Sequence, residues 1–411
     1  MSTNNRFYYG WVIAFSCMLI MLVTNGIIFG GLTVYDKDLL AFLASVRADE
    51  GLRGALKFRD AITLIGGGLL APVVGAIGDR IGVRPLMVFG LLCLALGNYL
   101  YARIGSLQEI YAIHVLLAAC IASCGLLVSV MLVSKWFVKH RGFAIGIAVA
   151  GTSLGNAIFP QLNTWMISEF GWRTAFGYST GIPLLLIPLV WLVMRERPAD
   201  MGLSLPGEER PHGEPAALTG MSYGAALKSV NFWLFASIAM LTFYSILALL
   251  THLFLHMTDQ GFEPQVAASG LTVLFALGLI GKLASGVLAD IFGRKRVFVA
   301  TLLVMCVGSW MMIGTSKVMF WPALVLVGGG WGGLYTLLQL LAADYFGVRD
   351  LGKILGTITV LDTLGGGMGP FLTGLMYDHY GSYTVPFTVI AVLITTALVL
   401  ASRVKLPASA S

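Results

Sequence analysis

A ten-residue segment, Gly75-Ala-Ile-Gly-Asp79-Arg80-Ile-Gly82-Val-Arg84, recurs as Gly286-Val-Leu-Ala-Asp290-Ile-Phe-Gly293-Arg294-Lys295, with Gly75, Asp79, Gly82 and the basic residue at 84 each displaced by 211 positions. A second set, Gly142, Gly146, Gly155 and Pro160, returns as Gly352, Gly356, Gly365 and Pro370, displaced by 210. Two independent patterns at nearly one offset mark an internal duplication. Glycine abundance alone would leave no shared register. Each copy of the first motif falls between two long apolar runs, so its charges form a tight turn at a membrane face. The glycines, spaced by three or four residues, predict close approach of neighbouring helix backbones.

The solvent of this chain is lipid. Hydrophobic residues make up 57% of it, charged residues only 11%, and the mean hydropathy is +0.86. A soluble domain carries roughly 25% charged residues. Counting about 20 apolar residues per span, the sequence predicts twelve helices, at approximately 8–34, 58–78, 85–104, 107–134, 142–168, 172–194, 231–257, 266–289, 296–315, 319–343, 352–377 and 383–403. The fold class is therefore all-α integral membrane, with two six-helix halves. The first apolar run is too long for a signal-peptide core and lacks a small-residue cleavage site, so it is expected to be retained.

Basic residues follow the loops. With the N-terminus inside, 17 Lys/Arg fall on the cytoplasmic side, and eight, including Lys37, Arg47, Arg53, Lys57 and Arg59, on the other. This positive-inside bias predicts a multi-pass protein of the plasma (inner) membrane with both termini cytoplasmic. It also accounts for the net charge of +6 without a nucleic-acid partner. The Pro-, Gly- and charge-rich stretch at 195–230 reads as a cytoplasmic linker between an N-terminal half, 1–194, and a C-terminal half, 231–411. All five cysteines fall inside predicted spans and read as small apolar packing residues, not as disulfides or metal ligands.

The first motif resembles the signature of the major facilitator superfamily, Gly-x-x-x-Asp-Arg-x-Gly-x-Arg/Lys after spans 2 and 8. The copy from Gly75 to Arg84 is complete, and the second departs at Ile291, where an arginine is expected. The resemblance implies a cytoplasmic gate made by Gly75, Asp79, Arg80, Gly82, Arg84, Gly286, Asp290, Gly293 and Lys295. Capping of helix ends by the two aspartates is the alternative. Within the superfamily the chain is similar to the branch of monocarboxylate-transporter-like and oxalate:formate-antiporter-like proteins. That likeness is carried by Arg197-Pro-Ala-Asp-Met-Gly-Leu, Asn231-Phe-Trp, His252 with Thr258-Asp-Gln-Gly-Phe-Glu-Pro264, Trp331-Gly-Gly-Leu-Tyr335, Gly365-Gly-Gly-Met-Gly-Pro370 and Tyr377-Asp378-x-x-Gly381-Ser-Tyr383.

Ionisable residues at mid-membrane depth are costly and usually face a cavity. Lys282 lies eight residues before Asp290, about 12 Å from the cytoplasmic end at 1.5 Å per residue, and Asp362 lies about 15 Å into its helix. The repeat places Ala71 and Thr152 at the equivalent positions, so neither charge belongs to the shared scaffold. Similar depth makes the two candidate neighbours. The resemblance assigns Lys282 to a basic substrate-binding position, with a lysine in place of a bidentate arginine. A second basic residue of the oxalate-exchanging members is replaced here by Ile358, and one cation fits a monoanion better than a dianion. Asp362 would then couple a proton to substrate binding; a plain ion pair with Lys282 is the alternative.

Trp331 and Tyr335 stand four apart on one helix face, and in the branch that the chain resembles the Trp-Gly-Gly-x-Tyr pattern borders the substrate, which implies an aromatic wall beside the cation. Asn25 and Tyr35 on span 1 and Tyr244 on span 7 are further substrate candidates, and His252 is a second proton-coupling candidate weighed against a structural histidine. No phosphate-binding loop, metal-ligand spacing or nucleophile motif occurs, so no cofactor, metal or enzymatic role is expected and ion or solute gradients supply the energy. The sequence reads as a secondary active transporter of a small organic anion, best a monocarboxylate, by proton symport or anion exchange. The alternatives are a carrier or efflux protein for a neutral or cationic solute, with Asp362 as the ligand, and a non-transporting membrane receptor of the same fold.

Overall fold

The computed structural model describes residues 8–46, 51–137, 141–202, 220–313, 317–347 and 349–404. Their helices are α1 (Gly10–Asn25, continued by a π turn over Gly26–Gly31), α2 (Asp36–Val46), α3 (Leu52–Ile81), α4 (Val83–Tyr101), α5 (Leu107–Cys124), α6 (Leu126–Trp136), α7 (Arg141–Phe170), α8 (Trp172–Ser179) and α9 (Gly181–Val193). The chain continues with α10 (Tyr223–Lys228), α11 (Val230–Asp259), α12 (Pro264–Phe292), α13 (Arg294–Met311), α14 (Lys317–Phe346), α15 (Leu351–Tyr380) and α16 (Thr384–Arg403). Among the described residues the only β pairing is the bridge Gly220–Gly347.

Each of the twelve predicted spans has its helix. Among the described residues ten runs are long and apolar enough to cross a membrane, α5–α6 and α8–α9 each counting as one. The other two are α13, which opens on three consecutive basic residues, and α15, which carries Lys353, Asp362 and a glycine run. Two short helices were not foreseen: α2, in what reads as an outer loop, and α10, in the second part of the predicted linker. The Pro/Gly/charge-rich core of that linker, 203–219, lies outside the described residues.

The residues gather into two compact units, one comprising 1–31, 66–159 and 166–212, the other 32–65, 160–165 and 213–411. These boundaries differ from the sequence halves, because the segments 32–65 and 160–165 pack with the second unit. Within the first unit α4 lies on α5 and α9, and α1 on α6 and α9. Within the second, α11 packs along α15 and α16, α14 along α12 and α13, and α13 also on α16.

The duplication is visible atom by atom. Gly82 (φ +85°) and Gly293 (φ +89°) each end one helix and open the next, donating to Gly78 O at 2.9 Å and Ala289 O at 3.0 Å. Only glycine takes that backbone without strain, which explains this part of the repeated motif. Gly171 (φ +76°) and Gly381 (φ +68°), 210 apart, turn the chain in the same way after α7 and α15.

Helix contact follows the repeat as well, though not at every glycine. A Cβ on Gly155 would strike the Leu22 carbonyl of α1, and one on its equivalent, Gly365, the Met240 carbonyl of α11. By contrast Gly75, Gly142, Gly146, Gly286, Gly352 and Gly356 face open space among the described residues, so the close approach expected of them is absent. The reason is position: the tight crossings lie at the middle of α7 and α15, and the open glycines lie at their first two turns or at the end of α3 and α12. Gly365→Leu is expected to destabilise the protein by about 1–3 kcal/mol through overpacking, and Gly356→Leu to leave the melting temperature near that of the parent. Equal melting of the two in detergent would remove the α11–α15 crossing as a source of stability.

At the start of α15, Asp350 accepts the Tyr223 backbone N–H at 2.9 Å. That bond holds its carboxyl below the ordinary aspartate value, so the contact is present above the unfolded-state value and lost as pH falls through the lowered one.

Candidate functional site

The α12–α14 crossing is built from glycine. Gly281 sits against Gly329 and Gly332, and Gly278 against the Trp331 ring. Small residues on both sides let the backbones meet, and the long side chain of Lys282 lies beside the indole. Its Nζ lies 5.8 Å from the Trp331 ring centroid, within reach of a cation–π attraction. Phe275 fixes the other side of Trp331, with centroids 5.5 Å apart in a T-shaped arrangement. The cation and the first aromatic of the expected wall are thus together; the Tyr335 side chain lies outside the described residues, as does that of Asp79.

Asp362 occupies a different crossing. It shares a face of α15 with Gly365 and Gly369, whose backbones abut Met240 and Tyr244 of α11. The residue is 3% exposed, and its Oδ1 has no hydrogen-bond partner among the described residues. No ion pair joins it to Lys282. Equal depth made the two look like neighbours, but α12 turns its Lys282 face to α14 whereas α15 turns its Asp362 face to α11. Depth is a coordinate along the helix; pairing also needs the azimuth.

The remaining candidates are dispersed. Asn25 turns its amide back onto its own helix, at 3.4 Å from Thr24 Oγ1 and 3.8 Å from Met21 Sδ. Tyr35 is buried in the second unit, next to Asp36. Tyr244 lines a groove with Leu372, Leu375 and Tyr380, all of them exposed apolar or aromatic residues, and does not join Lys282. His252 is fully buried, with Nε2 2.8 Å from Pro370 O and Nδ1 3.0 Å from Tyr383 Oη. A carbonyl only accepts, so Nε2 carries the hydrogen and Nδ1 accepts from the tyrosine. In the repeated motif Gly82 and Gly293 form the turns described above. Arg84 donates to the Met194 carbonyl and Lys295 to Ser402 O at 3.3 Å.

A constellation that the sequence reading missed lies at the end of the second unit that the charge bias assigns to the outside. The predicted span starts at residue 58 and leaves Arg53 and Lys57 in the preceding outer loop, but α3 begins at Leu52 and takes both into the helix with Arg59. Lys57 and Arg59 are buried and both bind Asp36, and Lys57 also donates to Thr251 O at 2.5 Å. Asp60 lies 3.9 Å from Lys57 Nζ and 3.6 Å from Arg59 Nε, completing a cluster of two cations and two carboxylates. One turn nearer the helix start, Arg53 grips Asp259 with both guanidinium ends, at 2.7 and 3.0 Å, and gives 2.9 Å to Tyr383 Oη. Buried ions persist when paired in this way, and removing one partner is damaging. Their signal was present: Arg53, Lys57 and Asp60 stand at i, i+4 and i+7, one stripe of a helix that starts earlier than hydropathy suggests.

A duplicated chain in which, among the described residues, ten helical runs are long and apolar enough to cross a membrane is a multi-pass membrane protein. The major facilitator superfamily model matches residues 15–286 and 257–410, and the chain belongs to that family. Monocarboxylate transporter 13 of Rattus norvegicus is 26% identical over 400 residues, covering 93% of this chain and 85% of its own. The fujikurins efflux protein of Gibberella fujikuroi is 28% identical over 355 residues, 81% and 70% of the two chains. The crystal structure of a D-xylose–proton symporter superposes with a TM-score of 0.74 over 96% of this chain and 97% of that one, at 14% identity. This last likeness is one of fold.

Proposed function

We propose that the protein is a secondary active transporter of a small organic anion, a monocarboxylate, working by proton symport or anion exchange. The observation that carries this reading is the Lys282 cation seated over Trp331 in a glycine-lined crossing, about 15 Å from the C-terminal end of α12. A carboxylate there would meet one positive charge and an aromatic face, while a dianion would leave a charge uncompensated. The similarity to monocarboxylate transporter 13 supports the class of substrate. Asp362, buried and away from the lysine, serves in this reading as the proton acceptor of a symport cycle. His252, engaged at both ring nitrogens, serves as a structural link between α11, α15 and Tyr383.

Alternating access would move the half 1–194 against 231–411, connected by 195–230, in the plasma (inner) membrane with both termini cytoplasmic. The motif residues would gate the cytoplasmic end. Asp79→Asn is then expected to slow transport several-fold while equilibrium substrate affinity stays within about threefold, since a residue at the helix end is about 12 Å or more from mid-depth. Loss of binding in a folded Asp79→Asn protein would end the gate role.

A second reading, a carrier or efflux protein for a neutral or cationic solute, takes Asp362 as the ligand. Its burial with an unpartnered oxygen, and the similarity to an efflux protein, favour it. Counterflow in proteoliposomes with labelled lactate, pyruvate, acetate, formate and oxalate, beside a labelled amine, separates the two. We expect at least one monoanion to exchange; uptake of the amine with no carboxylate activity would overturn the first reading.

A further inference from the structure

The Arg53 node has the geometry of a carboxylate receptor that is already filled. Two guanidinium ends meet the two oxygens of Asp259 at 2.7 and 3.0 Å, the Tyr383 hydroxyl accepts from the same guanidinium at 2.9 Å, and the Tyr377 ring backs it at 3.7 Å. A planar fork on a carboxylate, stacked on an aromatic face, is the arrangement in which arginine is most selective for such groups.

Receptor and occupant differ in how firmly they are held. The receptor is anchored, because the amides of Arg53 and Gly54 donate to Asp378 at 3.1 and 2.6 Å, and the Arg53 side chain is only 15% exposed. Asp259 is the last residue of α11, its side chain is 32% exposed, and helix termini fray. Further along the helix, Lys57 and Arg59 of α3 are matched by Asp36 of α2 and by Asp60, so that cluster carries no net charge.

We propose that Arg53, with Tyr377 and Tyr383, is an outer-face binding site for the carboxylate of the transported monoanion, and that the Asp259 side chain stands in for that carboxylate in this structure. The inference rests on the carboxylate-carrier reading. An incoming acid displaces Asp259 from Arg53, one carboxylate for another, so the guanidinium never loses its counter-charge while the outer end opens. The site loads substrate from outside before it reaches Lys282.

Initial rates from the outer and the inner face, for labelled lactate, pyruvate, acetate and formate, test this in the full-length protein. Asp259→Asn removes the competing charge and is expected to lower the external KM several-fold. Arg53→Gln removes the receptor and is expected to raise it about tenfold, with the internal KM of both variants within twofold of the parent. A mere latch gives a different pattern: breaking it from either side frees the outer end, so both variants would move the external KM in the same direction, and that result overturns the proposal. Arg53→Lys keeps the charge and loses the fork, and guards against an Arg53→Gln protein that does not fold. Its external KM should lie above the parent's, and an unchanged value overturns the proposal too. If the parent carries none of the four acids, the carrier reading fails, and acetate titration still decides the site. Acetate should raise the melting temperature of Asp259→Asn but not of the variant that also carries Arg53→Gln; no stabilisation of the first protein removes the site.

Discussion

Lys282→Ala is expected to abolish carboxylate transport and to weaken carboxylate binding by about thirtyfold or more. Removing a buried charged partner costs about 2 kcal/mol or more, and 1.4 kcal/mol is a factor of ten. Lys282→Arg should keep a substantial part of both, because its charge stays beside Trp331. The structure adds a condition that the sequence did not supply. Lys282 and Asp362 sit on separate crossings, α12 with α14 and α15 with α11, so their substitutions should combine additively. The double variant with Asp362→Ala should bind no better than Lys282→Ala alone. Substrate-induced thermal stabilisation, measured in the parent, both single variants and the double variant, reads this directly. Stabilisation of Lys282→Ala equal to the parent's would move the substrate site elsewhere, and rescue in the double variant would restore the ion-pair reading.

The second large effect concerns energy coupling. Asp362→Asn keeps the shape of the side chain and removes the group that can take up a proton. Stimulation by an inward pH gradient should disappear, while counterflow, which needs no net proton movement, stays within a few-fold of the parent. His252→Gln serves as the contrast. The imidazole bridges Pro370 O and Tyr383 Oη, so its replacement should lower thermal stability by about 1–3 kcal/mol, the cost of leaving a buried partner unsatisfied, and should preserve the pH response of whatever transport remains. A pH response intact in Asp362→Asn and lost in His252→Gln would exchange their roles.

Together these variants probe two crossings of the second unit that differ in kind. At α12–α14, glycines make room for a charged side chain beside an aromatic plate. At α11–α15, Gly365 and Gly369 bring the two backbones together on the helix face that carries the buried Asp362. The same residue type thus leaves room for a long side chain in one crossing and brings two backbones into contact in the other. The Arg53 node and the Asp36–Lys57–Arg59–Asp60 cluster, at the far end of the same unit, supply the remaining buried charge and would meet an entering anion first.

Much of the architecture could be read from the amino-acid order because it depends on quantities local in sequence. Hydropathy over about twenty residues places the helices wherever lipid replaces water: each of the twelve predicted spans has its helix, and ten runs among the described residues are long and apolar enough to cross a membrane. The repeat offset pairs Gly82 with Gly293 and Gly155 with Gly365, and these pairs have matching backbone angles or matching helix contacts. Lys282 and Trp331 could be brought together in advance because a family resemblance, not periodicity, linked their helices. Tertiary structure alone decided which helix faces meet. It separated Asp362 from Lys282, set Tyr244 in a groove with exposed apolar residues, and drew the segment 32–65 into the unit of α11 and α15. It also buried Lys57, which the hydropathy pattern leaves outside the span, together with Arg59 at the start of that span; hydropathy scores each charge singly. The cost of burying a charge is met by a partner, Asp36, 21 and 23 residues away, and no window along the sequence contains the geometry that brings the two together.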